Sequence, residues 1–128
     1  MLERIVQSER IDALCEAVAQ GGAMSLGGVW GSGAAAIATA LHQRTKRPVV
    51  LVVGHLEQAD NALDDIELFT GESCGLFSAF EAQLATDHVN EEVSSERITL
   101  LEQLAAGHAP GVIVAPILAM LQPVPTPE

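Results

Sequence analysis

Four valines and one leucine stand in an unbroken run, Val49–Val53, between two segments patterned as helices. A strand that does not alternate apolar with polar residues is buried on both faces, which is the situation of a parallel sheet covered by helices. The segment before the run, residues 32–44, is alanine-rich and strongly helix-forming. It ends at Thr45-Lys46-Arg47-Pro48, with cations where the helix dipole favours them. The segment after it, residues 55–69, sets Leu56, Ala59, Leu63 and Ile66 on one stripe and acids on the opposite side, and Gly71 suits its C-terminal cap.

The same alternation runs through the rest of the chain. Ile11, Leu14, Cys15 and Val18 have helical spacing, with Ser8 placed to cap the start and Gly21-Gly22 to stop the end. Residues 23–26 form a short apolar run that reads as a buried strand entering a glycine turn. Residues 74–77 read as a weak strand and residues 80–88 as a loop. Asn90 suits the cap of a helix reaching about Ala106, before Gly107. Residues 112–115 read as another buried strand, with a short helical turn after Pro116. The expected fold is α/β: a doubly wound parallel sheet of about four strands with helices on both faces. Four strands make a thin sheet, so the chain reads as a piece of something larger. Residues 1–122 form one module, and the proline-rich residues 123–128 read as a linker or chain end.

Charge narrows the partners. The net charge is −11, and five of the six basic residues lie at or before Arg47. From Pro48 onward Arg97 alone faces thirteen Asp and Glu. A nucleic-acid grip needs clustered cations to displace phosphate counterions, so no nucleic-acid binding is expected of this chain alone. The acid reads as a solvated surface or, alternatively, as a docking face for a basic partner. The longest apolar run is far shorter than the roughly 20 residues of a membrane span. Met1-Leu2-Glu3-Arg4 does not open a signal peptide, so a cytoplasmic location is expected, with Cys15 and Cys74 as small buried thiols.

The turn after residues 23–26 carries the chemistry. A working phosphate loop reads G-x-x-x-x-G-K-[ST]: its amides converge on phosphate, its lysine reaches the terminal phosphates and its hydroxyl holds Mg²⁺. Here the frame is Gly28-Val29-Trp30-Gly31-Ser32-Gly33-Ala34-Ala35. The end glycines have the right spacing, but Ala34 replaces the lysine and Ala35 the hydroxyl. The nearest lysine, Lys46, lies roughly 18 Å away along the helix. No Asp follows residues 49–53 or 112–115 to complete a Walker B site. Gly28, Gly31, Ser32 and Gly33 thus form a vestigial phosphate loop. It is either a weak anion cradle or, as we prefer, a tight turn kept for packing; neither hydrolyses a nucleotide. On the packing reading, Trp30 should be buried over the vacated phosphate space.

The order of motifs resembles one family: the N-terminal, UvrB-like segment of the bacterial transcription-repair coupling factors (Mfd). Arg47-Pro48 leading into the valine strand, and Leu56-Glu57-Gln58-Ala59 after it, are similar to that family's pattern. Phe77-Ser78-Ala79-Phe80-Glu81 resembles its F-P-A-W-E segment, with Ser78 and Phe80 as departures. Residues 94–101 resemble its S-x-R-L-x-x-L helix, and residues 111–116 with Leu121-Gln122 its closing strand and helix. Residues 82–90 lack its Y-D-x-x-S-P-H pattern. The resemblance implies a partial RecA-like fold and a non-catalytic structural and interaction module without cofactor. It also implies a parent that is an ATP-dependent DNA translocase. Other domains of that parent are the expected partners, and UvrA and RNA polymerase would bind only through domains absent here.

Other residues suggest no chemistry. His42, His55, His88 and His108 are scattered, so no metal site is assigned, and His55 reads as a helix-start residue. Asp60, Asp64, Asp65 and Glu67 belong to a solvated helix face. No nucleophile–base pair is evident. The alternative class is a small nucleotide-binding protein with an atypical phosphate loop.

Overall fold

The computed structural model describes residues 2–79 and 91–124. The order is α1 (Leu2–Val6), α2 (Glu9–Ala19), α3 (Gly33–Thr45), β1 (Val49–Val53), α4 (Leu56–Thr70), β2 (Gly75–Leu76), α5 (Glu91–Ala105), β3 (Val112–Pro116) and α6 (Ile117–Leu121). The strands form a parallel sheet in the order β1-β3-β2. Val50 lies opposite Ile113, and Leu51 opposite Val114.

The two sheet faces are built differently. On one, Val112 and Val114 meet the alanines of α3 and α4 (Ala35, Ala38, Ala59, Ala62) together with Ile66. Alanine on both helices lets their backbones approach the strands closely, and the partly buried Val49, Leu51 and Val53 join the cluster. On the other, Ile113 and Ala115 pack with Phe77, Leu100 of α5 and Ala119 of α6. Each large aliphatic side chain so buried contributes about 1.5–3 kcal/mol.

Local signals shape the helices as the sequence indicates. Ser8 caps α2, its side chain accepting from the Ile11 N–H. Thr39, β-branched within α3, donates its hydroxyl to the Ala35 carbonyl at 2.9 Å. His55 and Gln58 form a reciprocal capping box at the start of α4, and Gly71 closes α4 in the left-handed region. At the end of α3 Lys46 takes that conformation, φ 57°, without being glycine. His42 Nδ1 lies 2.7 Å from the Arg47 carbonyl and holds the turn.

Several expectations are corrected. Residues 23–26 are not a strand, and the described sheet has three strands rather than about four. A strand exists only by pairing, and no described strand pairs with this segment, so Met24 and Leu26 are exposed. β3 is buried at every position, as expected of an unalternating run, but β1 is not: Val50 and Val52 are exposed. Leu56 is exposed at the mouth of α4, while Ala62 is buried in its place. Cys15 and Cys74 are free and half-buried rather than fully buried. Helix α1 carries no periodic signal in the sequence; Arg44 of α3 donates to the Val6 carbonyl at the end of α1 at 2.7 Å and pairs with Asp12 of α2. Residues 80–90, including the expected Asn90 cap and His88, and residues 125–128 of the expected linker lie outside the described residues.

Candidate functional site

The glycine loop sits at the N-terminus of α3. Gly28 and Gly31 both have positive φ, 74° and 53°, a conformation that side chains disfavour. The Gly33 N–H donates to the Trp30 carbonyl at 2.9 Å, and Ala36 N–H to the Ser32 carbonyl, so these two amides are already engaged. Ser32 occupies the N-cap position, but its side chain makes no capping bond. A Cβ on Gly33 would meet Val29 Cγ1 at 3.1 Å, so glycine there serves a close approach within the turn.

The two replaced positions diverge. Ala34, where the lysine would stand, is exposed. Ala35, where the hydroxyl would stand, is buried in the core between α3, α4 and β3. A serine or threonine at that place would bring its hydroxyl into an alanine- and valine-lined contact. Beside the loop is a hollow of about 370 Å³ shared with α1 and α2, lined by Ile5, Ile11, Leu26, Val29 and Ile37, with Arg10 at its edge. Its lining is mainly apolar, unlike the converging donors a phosphate needs.

Trp30 overturns one expectation. It is 85% exposed and does not fill the space where phosphates would sit. The loop is held by its own turn and by contacts of the neighbouring glycine and valine, so the indole is free to face outward. The packing reading of the loop places Trp30 over that space; with residues 23–26 unpaired among the described strands, the indole faces solvent instead.

The structure also gives a role to a residue that the sequence marks only by its charge. Arg97, the lone cation of the acidic half, is 3% exposed. It donates to the Ser78 carbonyl at 2.7 Å and, at 3.4 Å each, to the carbonyls of Ala119 and Pro123. Its guanidinium lies 4.1 Å over the Phe77 ring. Beside it, Ser78 Oγ donates to Glu96 at 3.3 Å. Burial pushes the guanidinium below its ordinary pKa, yet arginine stays protonated in proteins. One side chain thus ties α5, the end of β2, α6 and the chain beyond it. Its isolation among acids was the available signal.

A second hollow, about 190 Å³, lies between α3, α4 and the start of β3, near Thr39, His42, Thr70, Cys74 and Gly111. The His42 ring lies so close over Gly111 that no side chain would fit there. Burial, then the nearby Glu67 carboxylate, raises the Cys74 thiol above its ordinary pKa, which keeps it protonated and weakly nucleophilic. Among the described residues no three His, Cys, Asp or Glu converge as a metal site. No described helix is long and apolar enough to cross a membrane.

The chain is similar to the transcription-repair-coupling factor of Bacillus subtilis (strain 168), 29% identical over 107 residues. The match covers 80% of this chain and 9% of the relative, so the chain spans a small part of that protein's length. The resemblance read from the order of the motifs is therefore met by a direct match. No protein-family model matches the chain. No solved structure matches it.

Proposed function

We propose that the chain is a non-catalytic structural and protein-interaction module of a transcription-coupled DNA repair factor, built on a partial RecA-like fold. The observation that carries this reading is the match to a coupling factor over 80% of the chain and only 9% of the relative. The burial of Ala35 supports it, because the core has taken the position where a nucleotide site needs a hydroxyl. On this reading DNA translocation, displacement of stalled RNA polymerase and recruitment of UvrA belong to other domains of a longer cytoplasmic protein. This chain contributes packing surfaces to those domains and takes no cofactor.

A second reading, a small nucleotide-binding protein, draws on one observation: Trp30 stands exposed beside an open glycine loop, where an aromatic could stack on a base. Titration with ATP and Mg²⁺, followed by a fluorescent analogue, separates the two. The module reading expects no binding tighter than roughly 100 µM. Tighter binding, abolished by Gly31→Val, would replace it with the second reading.

A further inference from the structure

The edge of a sheet is a row of backbone donors and acceptors shaped to receive another strand. The described sheet has two edges, and they differ. β2 forms one with two residues, too short to hold a partner strand. β1 forms the other with five. The Val49 N–H donates to the Gly111 carbonyl at 2.9 Å, so by alternation Val50 and Val52 turn their N–H and C=O groups away from β3. No described strand lies on that side. Natural edges are blunted by charge, proline or a bulge. β1 has none of these: all five residues are apolar, all but Leu51 are β-branched, and the register runs unbroken from Val49 to Val53. The side chains of Val50 and Val52 are exposed as well.

Two features of the sequence decide which strand fits. Val49-Val50-Leu51-Val52-Val53 reads the same in both directions. Laid antiparallel against itself with Leu51 on a two-fold axis, it sets Val50 opposite Val52 of the second copy and Val49 opposite Val53, so every pair off the axis is valine on valine. The outward groups of Val50 and Val52 then exchange N–H···O bonds with those of Val52 and Val50 in the second copy. Charge is absent from the edge itself. The net charge is −11, yet no Asp or Glu occurs between Glu16 and Glu57, a stretch that carries Arg44, Lys46 and Arg47. We propose that the outer edge of β1 pairs with the same edge of a second copy, joining two three-stranded sheets through an antiparallel contact about Leu51. The dimer asks nothing of the glycine loop and is independent of the chain's role in a repair factor.

Sedimentation of the 128-residue chain from about 1 µM to about 1 mM reads the association, and residue-resolved hydrogen exchange reads the edge. A monomer–dimer equilibrium is expected. The Val50 and Val52 amides should exchange more slowly as the dimer fills, while the Leu51 amide, turned toward β3 in either state, should hardly change. Val50→Lys puts a charge at an exposed edge position, and Val52→Pro removes an N–H that β3 does not use. Each should raise the dimer Kd at least about tenfold. Leu68→Gln, exposed on α4, should leave it unchanged. Far-UV circular dichroism checks that the variants keep the native fold; if neither does, exchange in the native chain decides alone. A chain that stays monomeric at about 1 mM overturns the proposal, as does a dimer that survives both folded variants. Val50 and Val52 amides protected equally at every concentration would place a segment of the same chain on the edge, and overturn it too.

Discussion

β1 and β3 are close in composition and lie side by side in register, yet they live in different surroundings. Val49-Val50-Leu51-Val52-Val53 alternates between half-buried and exposed, while Val112-Ile113-Val114-Ala115-Pro116 is buried throughout. The register partners Val50 and Ile113 make the contrast sharpest: 47% against 2% exposed. Hydrophobicity puts a residue in a strand; position in the sheet decides how much water it loses. β3 is central, flanked by both other strands and covered by α4 on one face and α5 and α6 on the other. Among the described residues β1 is an edge strand, and the described helices cover one of its faces.

The contrast predicts unequal costs at those partners. Ile113→Ala should destabilise the chain by about 2–5 kcal/mol in urea unfolding. Val50→Ala should cost less than about 1 kcal/mol, because half of its side chain is already in water. Equal costs would mean that the β1 face is covered after all. Next in size is Arg97→Lys, expected to cost about 2–3 kcal/mol by the same assay. One ammonium cannot reproduce a planar fork that reaches carbonyls on three segments and lies over Phe77. Arg97 holds α5 and α6 over β3, so this variant should also raise amide exchange in β3 more than in β1.

Signals confined to a few neighbouring residues were legible in the sequence. The Ser8 cap, the alanine helix α3, the limits of β1, the Gly71 cap and the turn of helix after Pro116 formed where the pattern placed them. What failed depended on partners. Residues 23–26 have a strand's composition, but no described strand pairs with them. Helix α1 packs against α3 and is tied to it by Arg44, thirty-eight residues away from Val6, a distance no periodicity reports. In the site, the loss of lysine and hydroxyl was plain from the spacing. The fates of Ala35, drawn into the core, and Trp30, turned to solvent, were not, because both follow from what packs beside the loop.

The loop offers a smaller-scale version of the same contrast. Gly31→Ala meets no neighbouring atom within 4 Å, so its cost is backbone strain alone, about 1 kcal/mol at φ 53°. Trp30→Ala next to it should change stability by no more than about 0.5 kcal/mol. Trp30 is the chain's one tryptophan, so intrinsic emission reports on it alone. That emission should sit at the position of a solvated indole and move to shorter wavelength only when something covers the loop.

The smallest expected effect probes how dry the covered face is. Cys74, at the entrance to β2, packs against the α3–α4 cluster, and burial followed by Glu67 raises its pKa, partly opposed by a backbone hydrogen bond. The folded chain therefore holds the thiol proton to higher pH than the unfolded chain, so ionisation favours unfolding. Stability should be flat with respect to this group below its ordinary value of 9.0 and should decline as pH rises past it. Cys74→Ser should remove that decline, and Cys74 in the native chain should react with iodoacetamide more slowly than in the denatured one at pH 8–9. A native thiol that alkylates at the denatured rate would show that water reaches the α3–α4 face too, and the distinction between the two faces of the sheet would shrink to the exposed valines of β1.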